Sequence, residues 1–250
     1  MVSPEKNKCF IVMTEEQLAE IRNYLLTKKL PIDVLMEVND HFISQMMELQ
    51  KEGQTFEEAF TKTKNTWRKD LKPYWSGGLD IEDKSDLMRR IRRESFRGIF
   101  SKAALFGLLL TGMMYVSMAF LSESHFLYLM IAAYIVFVFG PVLFYFMNRK
   151  DFALAKKYSN YVLTEYQMYV FIFISFPIVS LQFLLRMNDI SSYWYNTFHS
   201  EIRYDINRSV VIAFGCFLLY SASIFIFLSQ RRYLRQIQKV KPFLKYLKKG

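Results

Sequence analysis

The sequence predicts an all-α, polytopic membrane protein, with four transmembrane helices and a three-helix cytoplasmic domain at the N-terminus. Three observations predict it. Four long runs hold no Asp, Glu, Lys, Arg or His. The basic residues between those runs alternate from rich to poor, and the first 75 residues carry helix-start signals followed by amphipathic stripes. These features divide the chain into a helical head at 1–75, a linker and juxtamembrane amphipathic helix at 76–102, a four-helix bundle at 103–228, and a basic amphipathic tail at 229–250.

The head comes first. Thr14-Glu15-Glu16-Gln17 reads as a capping box, in which Thr14 accepts from the N3 amide and Gln17 reaches back. Leu18, Ile21 and Leu25 then recur at helical spacing. Pro31 suits the opening of a second helix, because its missing N–H would be unpaired there anyway. Val34, Leu35, Val38, Phe42, Met46 and Leu49 form that helix's apolar stripe. Gly53 is placed to stop it, since a positive φ is cheap for glycine. Thr55-Phe56-Glu57-Glu58 is a second capping box, opening a helix with Phe56, Ala59, Phe60, Thr63 and Trp67 on one face. Three such stripes can be buried only against one another or a partner. The expected core is Leu25, Val38, Phe42, Phe60 and Trp67.

Glu37-x3-His41, then Gly53, Thr55, Glu58-Ala59 and Trp67, resembles the HAAS or permease-prefix type of small helical domain over about residues 31–70. That family shows a Glu-x3-His pair, a Gly-x-Ser/Thr-x-x-Glu-Ala turn and a closing aromatic, usually followed by glycine. Here Arg68 stands where that glycine would be, so the last helix is expected to run on toward Leu71 before Pro73 stops it. The resemblance implies a cytoplasmic module with a regulatory or assembly role, and it makes Glu37 and His41 candidate partner-binding residues.

After a Pro- and Gly-bearing loop, Pro73-Tyr74-Trp75-Ser76-Gly77-Gly78, come the acids Asp80, Glu82, Asp83 and Asp86, and then a basic stretch. Leu87, Ile91, Ile99 and Phe100 interleave with the arginines at helical spacing. Residues 84–121 are therefore expected to form one helix, first amphipathic and then transmembrane. Arg89, Arg90, Arg92, Arg93 and Arg97 are candidate contacts for lipid headgroups.

The charge-free runs are 103–121, 126–147, 168–185 and 210–228. At about 1.5 Å per residue each helix would span roughly 27–33 Å, matching a hydrocarbon core of roughly 30 Å. Gly140-Pro141 and Pro177 should bend the second and third helices. Gln182 is the expected interhelical contact, since an amide in hydrocarbon needs a partner. The other polar residues in the runs are mainly hydroxyls, which most often bond within their own helix or to a neighbour. The bends read as packing features, with a substrate site at the helix interruptions as the sharper alternative, for which the runs supply no charged lining.

The connections set the orientation. Residue 123 is the first connection's single charge. The second holds Arg149, Lys150, Lys156 and Lys157, and the third balances its bases with Asp189, Glu201 and Asp205. Rich flanks on one side and poor ones on the other predict both termini in the cytoplasm. Tyr193, Trp194 and Tyr195 stand where an interfacial aromatic belt would sit, and residues 199–208 alternate in charge as a short re-entry helix would. In the tail, Leu234, Ile237, Val240, Leu244 and Leu247 form a rough apolar stripe among Arg231, Arg232, Arg235, Lys239, Lys241, Lys245, Lys248 and Lys249. That pattern suits a helix lying on an anionic leaflet, with these bases as headgroup contacts.

The formal charge of +10 belongs to these membrane-proximal segments, because residues 1–75 hold 11 basic and 12 acidic side chains. No nucleic-acid footprint is left for the head. Cys9 and Cys216 fall in different compartments of the expected topology and read as inert thiols. The first apolar stretch, 10–13, is too short for a secretory signal, so insertion is expected to begin near Ala103.

His41, His125 and His199 are far apart, no paired Cys motif occurs, and phosphate-cradle and nucleophile-elbow patterns are missing. No cofactor, metal site or enzymatic activity is expected. The reading is a non-enzymatic regulatory or assembly protein of a bacterial cytoplasmic membrane, whose head binds a protein such as a transporter or regulator. The partners expected are that protein and anionic lipids, with self-association open. The alternative is a small permease or an accessory subunit of an export complex.

Overall fold

Capping sets where the head's helices start. In a computed structural model describing residues 13–74, 83–199 and 206–248, α1 (Glu15–Leu26) opens on Thr14. The Gln17 amide donates to the Thr14 hydroxyl at 3.3 Å and the Thr14 amide donates to Gln17 Oε1 at 3.0 Å. Thr55 and Glu58 repeat the box at 3.3 and 2.9 Å, opening α3 (Phe56–Leu71). Between them α2 (Ile32–Lys51) follows Pro31, and Gly53 turns the chain at φ +95°. With Arg68 in place of a stop glycine, α3 does run on to Leu71. Cys9, the residues from Trp75 to Gly78, Asp80, Glu82, Glu201, Arg203, Asp205 and Lys249 lie outside the described residues.

Ile21, Leu25, Val38, Phe42 and Phe60 are buried together, with the rings of Tyr24, Phe42 and Phe60 5.7–5.9 Å apart. Trp67 departs from the expected core. It is only partly buried, because its indole Nε1 reaches out to donate to Gln45 Oε1 at 2.9 Å.

Ser85 caps α4 (Asp86–Ser117), whose 32 residues join the basic stretch to the first apolar run without a break. The second run forms α5 (Glu123–Tyr134), a π-helical turn at Ile135–Phe139 and α6 (Gly140–Met147). Pro141 has no N–H to donate, so the wide turn absorbs the missing bond and the helix restarts with the proline in its first turn. A short helix, α7 (Arg149–Lys157), follows.

The third run is not one helix. It is divided into α8 (Gln167–Val170), a 3-10 stretch at Phe171–Ile174 and α9 (Phe176–Leu185), with Pro177 in the first turn of α9. After α10 (Met187–His199), α11 (Ile206–Val240) runs for 35 residues into a 3-10 end at Lys241–Tyr246. Three helical stretches are long and apolar enough to cross a membrane: Asp86–Ser117, Glu123–Met147 and Asn207–Tyr246. The chain is a helical membrane protein.

α4 and α11 pack antiparallel as the central pair. Gly107 is needed at their crossing, because a Cβ there would lie 3.0 Å from the Ser221 nitrogen and 3.1 Å from its Cα. Gly98, nine residues earlier, lies against the Arg232 guanidinium on α11. Two apolar cores sit at opposite ends of this pair. One joins the head to Ile99, Phe152, Leu163 and the last turns of α11. The other gathers Met118, Phe126, Tyr134, Met187, Trp194 and Tyr220. Residues 167–185 carry the chain from the first to the second.

Three expectations are corrected here. The tail does not form a separate helix on a leaflet: Tyr233, Ile237, Val240, Phe243 and Leu247 are buried in the head-end core, where they cover apolar faces of the head. Trp194 is no interfacial anchor but is 1% exposed, with its ring edge-on to Phe126 at 6.0 Å. α10 folds back on the start of α5, where Ser192 donates to the Glu123 carboxylate and Tyr195 to the Leu121 carbonyl. Gln182 is exposed, and the buried polar contact in this region is Tyr134 Oη to Ser180 Oγ at 3.0 Å.

Candidate functional site

The site that ties the head to the membrane helices begins at the N-terminus of α2. The first amides of a helix have no partner within it. Here the Ile32 amide donates to the Val162 carbonyl at 2.9 Å and the Asp33 amide to Leu163 at 3.3 Å. The contact is reciprocal: the Glu165 amide donates to both carboxylate oxygens of Asp33, at 3.3 and 3.2 Å. Asp33 Oδ1 also accepts the Val34 amide at 2.9 Å. Burial pushes the Asp33 carboxyl up to about 7, outweighing the backbone donors from Glu165 and Val34 that pull it down.

From Glu165 a polar chain crosses the bundle. Ser95 on α4 donates to Glu165 Oε1, and Tyr166 Oη donates to Ser95 Oγ at 3.4 Å. Arg232 on α11 donates to Tyr166 Oη at 3.1 Å. Burial raises the Tyr166 hydroxyl above its ordinary value. Glu165 Oε2 is buried with no partner. Four segments therefore meet: α2, α4, α11 and the 162–166 connection. Beside them lies a cavity of about 230 Å³ whose wall includes Asp33, Glu37, Glu94, Glu165 and Gln236. Among the described residues no group of three His, Cys, Asp or Glu side chains could hold a metal ion.

Glu37 and His41 both lie exposed on α2, Glu37 at this cavity, and no ion pair among the described residues joins them. The basic residues split. Arg89 donates to the Tyr74 carbonyl at 2.7 Å, and Arg90 faces Asp70 on α3 at 4.0 Å. Arg232 turns inward as described, and Lys241 pairs with Asp151 at 2.9 Å. Arg231 lies over the Phe227 ring and Lys245 over Tyr246. Arg93, Arg97, Arg235, Lys239 and Lys248 are exposed, and Arg92 is half-buried.

Asp33, Ser95, Glu165 and Tyr166 escape a reading of the sequence. An acid in a helix's first turn ordinarily serves the helix dipole in water. The one signal was composition: Asp33 is embedded in Leu30-Pro31-Ile32 and Val34-Leu35, too apolar for an exposed first turn, and all six residues are buried. Comparison with protein-family models, curated proteins and solved structures finds no match.

Proposed function

We propose that this is a non-enzymatic regulatory or assembly protein of a bacterial cytoplasmic membrane, whose head binds a protein partner and passes its presence to the bundle. The observation that carries the reading is the joint at Asp33. Backbone hydrogen bonds clamp α2 to the 162–165 connection, and the last turns of α11 complete the head's core. A partner that displaces the head must then displace α4 or α11. The outer surface of α2, with Glu37 and His41, is left open for that contact. The resemblance to permease-prefix domains supports the same assignment.

We place the chain in four crossings with both termini cytoplasmic. The start of α4 and the end of α11 share one core, so the number of crossings between them is even, which supports a fourth crossing by the broken 167–185 segment. The basic flanks Arg93, Arg97, Arg149 and Lys150 and the alkaline tail lie at that end, and the positive-inside rule assigns it to the cytoplasm. Exposed bases there face anionic headgroups.

The test is co-purification of the full-length protein in mild detergent, with identification of what accompanies it. Glu37→Ala with His41→Ala should remove a specific partner without lowering the unfolding temperature. Retention of every associated protein by the double variant, or solute transport by the purified wild type in vesicles, would sink the proposal. Deleting residues 1–75 is a poor substitute, because it would strip cover from the apolar faces of α4 and α11.

A further inference from the structure

Arg92 is half-buried on α4, and among the described residues no acid or hydrogen-bond acceptor pairs with it. Its nitrogens are not among the buried polar atoms left without a partner, so Arg92 offers an uncommitted charge to the space it faces. It stands in the wall between two adjoining clefts. The larger, about 590 Å³, lies between the α1–α2 turn and the start of α4, and gathers Lys28, Lys29, Lys84 and Arg92 against Asp83, the one acid among its described lining residues. The smaller, about 310 Å³, adds Arg89 and Arg93, with Phe96 and Tyr169 in its wall and no acid among its described lining residues. The Ser85-capped N-terminus of α4 opens on the larger cleft, and its dipole also favours an anion.

A second observation is independent of charge. Lys29 has φ +52°, the one described non-glycine residue in the left-handed region, where glycine is the ordinary occupant. Its backbone strain holds a lysine at the cleft's rim. At the other end, the rings of Phe96, Tyr169 and Phe225 touch at 5.5–6.1 Å, a few turns before the charge-free run of α4. In the four-crossing arrangement proposed above, the smaller cleft borders the headgroup layer while the larger faces the head.

We propose that the two clefts form one binding site for a phosphorylated anion, with Arg92 as the shared ligand and Lys29 at the rim. A phosphate ester is the chemistry recognised, and it belongs equally to a phospholipid headgroup and to a soluble phosphorylated compound. The site depends on the placement of α4 at the membrane and not on a protein partner, so partner loss and ligand loss are separable results.

The experiment uses full-length protein in neutral detergent, with phosphatidylglycerol-doped micelles and pyrophosphate as separate probes. Thermal unfolding and lipid retention by native mass spectrometry are the readouts. Wild type should be stabilised by at least one probe: phosphatidylglycerol alone assigns a lipid, and pyrophosphate in either arm assigns the phosphate itself. Arg92→Gln should weaken binding about tenfold or more, the scale of one charge-assisted hydrogen bond. Lys29→Gly should raise the unfolding temperature without ligand yet weaken binding several-fold, a combination that a purely structural lysine would not produce. Lys62→Gln, an exposed base on α3 that lines neither cleft, should change binding less than about twofold, unlike the cleft variants. Should Arg92→Gln fail to fold, Lys29→Gly decides. No stabilisation by either probe, equal losses in Lys62→Gln and the cleft variants, or unchanged binding in Lys29→Gly would overturn the proposal.

Discussion

The carboxylate of Asp33 accepts the backbone N–H of Glu165 at 3.2 Å, joining the first turn of α2 to a residue 132 positions further along the chain. It is the point at which head and bundle become one body. Replacing it breaks a buried acceptor rather than a surface contact, and the cost falls on the joint and not on either part alone.

Stability should fall as pH rises through this group's range. Burial holds the Asp33 carboxyl at about 7 in the folded protein, against an ordinary value of 3.8. The folded state therefore keeps a proton that the unfolded chain gives up between about pH 4 and 7. Its contribution is fully present below that window and is lost as pH climbs through it, by about 4 kcal/mol across the range. Asp33→Asn keeps an acceptor for the Glu165 amide and removes the titration. Thermal unfolding at pH 5, 6, 7 and 8 should show a shallower slope in the variant; an unchanged slope would remove Asp33 as its source.

The α4–α11 crossing gives a paired test. A methyl at Gly107 would press on the Ser221 backbone, so Gly107→Ala should destabilise by about 1–3 kcal/mol through overpacking. Gly112→Ala, with nothing within 4 Å of its added carbon, should be neutral or stabilising by about 0.5–1 kcal/mol. The two unfolding temperatures should move apart. Equal effects would mean the helices can slide to relieve the contact.

Trp67 should behave as a half-buried side chain with one polar anchor. Trp67→Phe keeps most of the ring packing and removes the hydrogen bond to Gln45, for a loss of about 1 kcal/mol. Gln45→Leu should reproduce much of that loss, and the double variant should cost less than the sum. Strict additivity in this cycle would show that the bond contributes nothing.

Topology can be read by labelling. Lys248→Cys should react with a membrane-impermeant thiol reagent only from the cytoplasmic side, and Glu123→Cys only from outside. Because α4 begins, and α11 ends, in the head-end core, Thr66→Cys on the head should label from the same side as Lys248→Cys. Opposite labelling of those two positions would break the four-crossing arrangement.

What the sequence determined by itself was local. The length of three of the four runs, two capping boxes, the glycine at 53 and the unbroken passage from basic stretch to apolar run each depend on residues a few positions apart, and each appears in the structure. What only the tertiary structure decided was which partner satisfies a residue that has more than one option. The tail's stripe of Ile237 and Val240 is equally content on a lipid leaflet or against another helix, and in the fold it covers the head. Trp194 could anchor at an interface or fill a core, and the fold-back of α10 onto α5 sends it inward. Asp33 with Glu165, and Arg92 with Lys29, carry no sequence spacing that announces them, because their meaning comes from segments brought together after the helices pack. Periodicity tells a helix which face to bury; it does not tell that face what will bury it.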